Sequence, residues 1–245
     1  MSAQQRLDTW LVEHGLVESR DKAQRLILAG EVRVAGQVAL KSSQSVGEHA
    51  AVELTAKPRF VGRGGEKLEA ALDAFGIDAR GRICLDVGAS TGGFTDCLLQ
   101  RGAARVYAVD VGRGLVHWTL RQDARVVLME EVNARYLDRR AFPERPTLGV
   151  ADVSFISLTK ILPAVCGVLA PGSDLVTLIK PQFEAGRQDV GKGGVVRNPA
   201  VHQKVVNTVR RFGEDEMKMA WLGVIPSPLK GPAGNVEFLA HWRMP

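Results

Sequence analysis

Ile83–Asp110, ICLDVGASTGGFTDCLLQRGAARVYAVD, is the stretch whose reading decides the fold. An apolar run (Ile83, Leu85, Val87) ends in a glycine-rich turn, Gly88-Ala89-Ser90-Thr91-Gly92-Gly93. A helical segment from Phe94 to Arg101 follows, and a second apolar run closes at Asp110. The order is strand, turn, helix, strand, the opening unit of a doubly wound sheet. Glycine lacks a Cβ, so such a turn lets the backbone approach a ligand closely and aims its N–H groups beyond the end of the strand. An acidic residue closing the next strand, about twenty residues on, is placed to accept hydrogen bonds from a ribose. A nucleoside-containing ligand is expected.

The dinucleotide fingerprint G-x-G-x-x-G is absent, since Asp86–Phe94 reads D-V-G-A-S-T-G-G-F. No turn is therefore tailored to a pyrophosphate. Asp86 would repel a phosphate and suits a cationic amino-acid end, which favours S-adenosylmethionine as cofactor. Asp86, Gly88, Ser90, Thr91, Gly92, Gly93, Phe94 and Asp110 are the candidate cofactor contacts. A third strand, Val126 to Leu128, leads into Glu130 and Asn133, either of which is placed to read an adenine edge.

A fourth strand, Leu148 to Val153, carries Asp152, and Ser157 is expected to cap the helix that follows. A fifth, Leu175 to Ile179, ends in Lys180-Pro181. Asp152 and Lys180 thus fall at carboxyl ends of parallel strands, where open α/β sheets bind ligands, and Asp152 counts among both the cofactor and the catalytic candidates. Glu184 to Arg197 is glycine-rich and charged, and a loop of that length is expected to serve as a lid or to contact RNA. Asn198-Pro199 opens a helix to about Phe212. Strands Met219 to Ile225 and Val236 to Trp242, with Glu237 near the start of the last, complete seven. The fold expected is α/β, a doubly wound Rossmann-like seven-stranded methyltransferase sheet over residues 64–245.

That unit opens with Gly64-Gly65-Glu66-Lys67 and a helix whose stripe is Leu68, Ala71, Leu72 and Phe75. Lys67 lies in its first turn, where the helix dipole disfavours a cation, so it is a candidate for function. Residues 57–63, with Lys57-Pro58-Arg59, are expected to be a linker. Residues 1–56 are expected to be a small α+β domain. It has helices from Arg6 to His14 and from Arg20, capped by Ser19, to Ala29, and short strands around Val32 and Val34, Val38 and Leu40, and Val52 and Leu54.

Of the 245 residues 45% are apolar and 24% charged, enough to bury a substantial core, and the net charge of +5 favours an anionic partner such as nucleic acid. Residues 1–60 hold eight Lys/Arg against seven Asp/Glu, so bulk charge alone does not mark that domain as RNA-binding. Cys84, Cys97 and Cys166 have no C-x-x-C spacing and read as buried free thiols, and the scattered histidines show no metal site. MSAQQRLDTW lacks the apolar core of a signal peptide. The longest apolar run, Ile161 to Ala170, contains Pro163 and is about half the length of a membrane span. A cytoplasmic protein without membrane association is expected.

Arg6–Gly36, RLDTWLVEHGLVESRDKAQRLILAGEVRVAG, resembles the alpha-L RNA-binding motif of a small-subunit ribosomal protein and of pseudouridine synthases. There the helix carrying S-R-x-K-A grips an RNA backbone. The resemblance implies phosphate contacts by Arg6, Arg20, Lys22 and Arg25, joined by Arg63. Val34-Ala35-Gly36 departs from the V-N-G usual in that motif. Adding RGGEKL (Arg63–Leu68), DVGASTGGFTDCLL, DVSFISL, IKPQFEAG and GPAGNVEF, nearly the whole chain resembles the TlyA family, named for hemolysin or for ribosomal RNA 2′-O-methyltransferase, whose catalytic domain is similar to FtsJ-type ribose methyltransferases.

The resemblance implies a Lys-Asp-Lys-Glu active site on Lys67, Asp152, Lys180 and Glu237, no metal, and a cytidine ribose in ribosomal RNA of assembled subunits as substrate, in the large subunit with or without the small. The chemistry explains the residue types. A ribose hydroxyl is a poor nucleophile until it loses its proton, and the methyl donor is attacked in line. Lys180 is the candidate general base, or the group that orients and polarises the hydroxyl. Neighbouring Lys67 would ease its proton loss by like-charge repulsion, while Asp152 and Glu237 hold the two lysines in register. A pore-forming toxin would need an export signal or an amphipathic membrane segment, and neither is visible. A non-catalytic RNA-binding factor would need no S-adenosylmethionine.

Overall fold

The computed structural model describes residues 4–28, 30–55, 59–231 and 233–245. Met1 to Ala3 at the start of the expected first domain, Ala29 at the expected helix end, Ala56 closing that domain, Lys57 and Pro58 of the expected linker, and Pro232 of the last turn lie outside the described residues. Two units divide the chain, Met1–Arg59 and Phe60–Pro245.

In the first unit the order is β1 (Gln4–Arg6), α1 (Leu7–Glu13), α2 (Arg20–Leu28), β2 (Val32–Val34), β3 (Gln37–Val38), β4 (Ser45–Gly47) and β5 (Val52–Leu54). The helical spacing of Leu7, Trp10 and Leu11 buries one face of α1 against Ala23 and Ile27 of α2, and Val32 and Val46 close this small core. Ser19 accepts the Lys22 N–H at 3.3 Å. The strands β3, β2 and β5 form one antiparallel sheet, while β1 pairs with β4. That second pair is not among the expected strands, because β1 is polar throughout and β4 offers only one apolar residue, Val46, so neither shows an alternating pattern. Ala35 and Gly36 take φ of 50° and 78° in the β2–β3 hairpin. Both angles are left-handed, as in a two-residue hairpin turn, and an alanine there costs about 1–2 kcal/mol that an asparagine or glycine would largely avoid.

The second unit contains α3 (Gly64–Phe75), β6 (Ile83–Val87), α4 (Gly93–Gln100), β7 (Arg105–Val109), α5 (Trp118–Arg121), β8 (Val126–Met129), β9 (Leu148–Ala151), α6 (Leu162–Val168), β10 (Asp174–Ile179), α7 (Pro181–Glu184), α8 (Pro199–Arg211), β11 (Ala220–Pro226) and β12 (Phe238–Arg243). Its seven strands lie in the order β11-β12-β10-β9-β6-β7-β8. Strands β6 to β10 run parallel, and β12 is antiparallel to both neighbours. The chain builds outward from β6 through β7 to β8, then returns to lay β9 on the other side of β6. That reversal opens a crevice between the carboxyl ends of β6 and β9.

Parallel strands covered on both faces are apolar almost throughout. Cys84, Val106, Val150, Val176 and Leu178 pack with Leu68 and Leu72 of α3 and Leu98 of α4. The alternate residues Leu85, Val87, Tyr107, Leu175 and Ile179 pack with Leu162 and Val165 of α6 and Val205 and Val209 of α8. Each fully buried Leu or Val is worth about 1.5–3 kcal/mol. Burial also pushes the Cys84 thiol up to about 12 and the Cys166 thiol up to about 11, which leaves both protonated at neutral pH.

Three expectations change. Ser157 caps a 3₁₀ turn, Leu158–Lys160, and α6 starts only at Leu162, with Pro163 in its first turn. Phe60 to Gly62 are not free linker. Phe60 is buried against Gly65, and the Val61 N–H donates to Asp96 at 2.8 Å. Glu237 lies one residue ahead of β12 rather than within a strand. Among the described residues no helix is long and apolar enough to cross a membrane.

Candidate active site

The last rung between β10 and β12 joins Ile179 to Phe238. The next residues outward on the two strands are Lys180 and Glu237, so backbone register alone sets them side by side at the carboxyl edge of the sheet. Lys67 reaches the same place from the first turns of α3, its Nζ 2.6 Å from Glu237 Oε2. Asp152 follows β9 directly, and its Oδ1 stands 2.6 Å from Lys180 Nζ. The four candidate catalytic residues therefore form two acid–amine pairs at one end of the sheet. Lys67, Lys180 and Glu237 are only 8%, 9% and 1% exposed. An unpaired charge so withdrawn from water would cost several kcal/mol, which accounts for the pairing. Each amine faces its own carboxylate, Glu237 for Lys67 and Asp152 for Lys180.

The pairs differ in detail. Lys67 donates a true hydrogen bond to Glu237, whereas Asp152 Oδ1, despite its short contact, has no hydrogen-bond partner among the described residues, and neither has Glu237 Oε1. The hydrogen bond of Lys180 goes to Ser154 Oγ at 2.9 Å. Pro181, at the first position of α7, fixes the backbone beyond Lys180. The Phe183 ring lies 6.0 Å from the Lys180 amine and 5.1 Å from Phe155.

Beside these pairs runs a cleft of about 540 Å³, and Gly88, Ser90, Asp152 and Ser154 line both it and a smaller pocket of about 170 Å³ that includes Lys180. Gly88 has φ of 85°, and a Cβ there would strike the Asp152 carbonyl oxygen, so only glycine lets the turn pass. Asp110 borders the cleft with its carboxylate fixed by the N–H groups of Ser90 (2.8 Å) and Gly112 (2.7 Å). Lone pairs remain on both its oxygens for a ribose. Val111, Leu115, Val132 and Ile156 supply apolar walls suited to an adenine, and Asn133 stands among them. The Asn133 Oδ1 accepts the Arg135 N–H, which leaves its amide N–H groups to offer. These features fit S-adenosylmethionine.

Other cofactor candidates lie elsewhere. Thr91, Gly93 and Phe94 line the smaller pocket beside Lys180, and Gly92 packs on Leu120. Asp86 is wholly buried within β6 and borders neither cavity. Its Oδ2 accepts the Thr95 hydroxyl at 2.6 Å, and its Oδ1 has no hydrogen-bond partner among the described residues. Burial pushes this carboxyl up to about 7; the Thr95 hydrogen bond opposes the rise and the Asp152 charge adds to it. Direct contact with a cofactor is thereby corrected, because the side chain projects into the α4 face of the sheet. Glu130 is likewise engaged, by Arg121 at 2.5 and 3.1 Å and by the Gly114 N–H at 2.8 Å, and fixes the glycine loop instead of reading a base.

Ser154 and Glu184 had no expected role at this site. Glu184 accepts the Ser157 hydroxyl (2.6 Å) and the Leu158 N–H (2.7 Å), and so ties the loop after β9 to the segment after β10. Burial raises its carboxyl above the ordinary value. The only signal in the sequence was their place inside DVSFISL and IKPQFEAG. The loop of residues 184–197 is anchored at its far end, where the Asn235 carboxamide accepts the Val196 N–H and donates to the Gly194 carbonyl, both at 2.9 Å.

Residues 60–244 match the FtsJ-like methyltransferase family. The chain belongs to that family. Its FtsJ-like unit uses S-adenosylmethionine as methyl donor, and residues 5–52 ahead of it match the S4 domain. The whole chain is 47% identical to the 16S/23S rRNA (cytidine-2′-O)-methyltransferase TlyA of Mycobacterium tuberculosis, over 99% of this chain and 91% of that protein. It is 45% identical to Hemolysin A of Brachyspira hyodysenteriae, over 97% and 99%. A solved structure of a hemolysin-named protein from Streptococcus thermophilus is 44% identical, with a TM-score of 0.76 over 100% of this chain and 90% of that one.

Within the S4 domain, Arg6 and Arg20 both bind the fully buried Asp8, Arg6 through two bonds (3.0 and 2.8 Å) and Arg20 at 3.3 Å, while Gln24 adds a third donor at 3.0 Å. The Arg6 guanidinium above all holds the Asp8 carboxyl well below the usual range. Lys22 pairs with Glu18 at 2.9 Å. Arg25 is exposed and, among the described residues, has no side-chain partner. The same holds for Arg63 ahead of α3 in the FtsJ-like unit.

Proposed function

We propose that the acceptor of the methyl group is the 2′-hydroxyl of a cytidine in ribosomal RNA, in the large subunit with or without the small. The observation that carries this reading is the pairing of Lys67 with Glu237 and of Lys180 with Asp152 at the strand ends, beside a cleft suited to the cofactor. Two buried amines held by two acids suit the removal of a proton from a sugar hydroxyl and have no evident use in a binding module. The name of the M. tuberculosis relative supports the same substrate.

In this reading Lys180, in its neutral form, takes the hydroxyl proton as the oxygen attacks. When bound, S-adenosylmethionine would supply an electrophilic methyl carbon, whose bond to sulfur breaks as the bond to the ribose oxygen forms, with S-adenosylhomocysteine as the leaving group. Asp152 then faces the ammonium that forms, while the Lys67–Glu237 pair walls the pocket and steadies its charge. General-base assistance of this kind is worth about 10²–10⁴-fold. The S4 domain, through Arg25 together with Arg6, Arg20 and Lys22, grips phosphates, Arg63 adds a contact from the FtsJ-like unit, and the target nucleotide turns outward to enter. Such a reaction belongs in the cytoplasm with the ribosomal subunits.

The test is methyl transfer to isolated large and small subunits, with the modified position read by primer extension at low nucleotide concentration. Wild-type protein is expected to give a stop at a cytidine that Lys180→Ala does not give. Identical stops from both proteins overturn the assignment.

A further inference from the structure

We propose that Ser154 is the positioning residue that aims the Lys180 amine at the acceptor hydroxyl. The inference rests on Lys180 being the base, as above. An ammonium nitrogen offers three N–H directions that turn freely about its last carbon–nitrogen bond. In this structure one is fixed. Ser154 Oγ accepts it at 2.9 Å, while Asp152 Oδ1 stands 2.6 Å from the nitrogen. The contact with Asp152 lacks hydrogen-bond geometry, so the acid attracts charge without setting direction. Direction comes from the serine.

With one N–H held on Ser154 Oγ, the lone pair of the neutral amine is confined to the remaining directions, one of which is the pocket that Lys180 shares with Gly64 and Phe94. Ser154 lines both that pocket and the cofactor cleft, so it stands where acceptor and methyl donor meet. Its loop is held on both sides. Asp152 N–H donates to the Val87 carbonyl at 2.9 Å, and Glu184 fastens Ser157 and Leu158. Phe155 turns the chain immediately after Ser154 with a φ of 63°, a left-handed angle rare for a bulky residue. A backbone held this way gives one hydroxyl one address.

Ser154 is itself exposed, and Asp152 still stands 2.6 Å from the Lys180 amine when the serine hydroxyl is removed, so the fold is expected to hold. Steady-state methylation of ribosomal subunits by wild type, Ser154→Ala, Ser154→Thr and Lys180→Ala, with isothermal titration of S-adenosylmethionine and a thermal melt for each, tests the idea. Ser154→Ala is expected to lower kcat about tenfold, as loss of a hydrogen bond to a charged group does, with KM, cofactor affinity and melting midpoint unchanged. Ser154→Thr, which keeps the hydroxyl, is expected to restore kcat. Wild-type kcat in Ser154→Ala, or equal losses in the Ala and Thr variants, overturns the proposal. Should the wild type itself fail to methylate, or Lys180→Ala retain full activity, the function assigned above falls first.

Discussion

Lys67 Nζ and Glu237 Oε2 meet 2.6 Å apart across 170 positions of chain, in a place where the carboxylate is all but sealed from water. The contact closes α3 onto the end of β12, and it is as much a structural tie as a chemical one. Removing either partner strands a buried charge, a situation that costs about 3–5 kcal/mol.

Lys67→Ala is therefore expected to lower unfolding stability by about 3 kcal/mol in urea, and Lys67→Met with Glu237→Leu together to recover most of that loss. Neither protein should transfer methyl groups. A single substitution costing under about 1 kcal/mol would show that the pair is solvated rather than buried.

Asp86 predicts a pH dependence. Its carboxyl titrates near 7 in the folded protein, above the ordinary value of an unfolded aspartate. Below both values the proton is bound in either state and nothing is lost. As pH rises between them, the unfolded chain releases the proton first and folding becomes less favourable, up to a loss of roughly 4 kcal/mol above pH 7. Asp86→Asn keeps the bond to Thr95 and cannot ionise. Melts from pH 4 to 8 are expected to show the variant gaining on wild type up to about pH 7 and levelling off above it, and a constant difference throughout would contradict the shift.

At Gly88 a methyl group would strike the Asp152 carbonyl. Gly88→Ala is expected to abolish S-adenosylmethionine binding in titration calorimetry, because both the left-handed turn and the position of Asp152 are lost. Undiminished binding in a folded variant would mean that the turn does not shape the cleft.

Arg25 and Arg6 should part company. Arg25 has no carboxylate partner among the described residues, so Arg25→Glu is expected to weaken ribosomal RNA binding at constant stability and to reduce the slope of log affinity against log salt by about 1. Arg6→Ala also takes from buried Asp8 its closest cation, so it is expected to lower the melting midpoint as well. Equal melting behaviour of the two variants would refute the distinction.

Much of this was legible before any coordinates. Strands β6, β7, β9 and β10 and helices α3, α4 and α8 announce themselves through apolar periodicity and caps, since covered parallel strands and amphipathic helices are local patterns. Even Asn198 holds the Ala200 N–H as an N-cap should. The β1–β4 pair has no such signature, because strands of three residues, one of them with a single apolar Val46, are too short to show an alternation and are set by pairing. Asp86 and Glu130 sit at or near strand ends as expected, yet one is sealed beneath α4 and the other is held by Arg121. Spacing along a chain puts a carboxylate at an edge without saying which neighbour claims it.

By itself the sequence determined the order of elements, the glycine turn that opens the crevice, and the kinds of charged residue delivered to strand ends, all consequences of interactions within a turn or two of chain. Only the tertiary structure decided which acid holds which amine, that Lys180 bonds to Ser154 while Asp152 supplies charge without direction, and that Asp86 is kept from the cleft. Those outcomes depend on ångström-scale approach and on exclusion of water, and both arise only when distant segments pack.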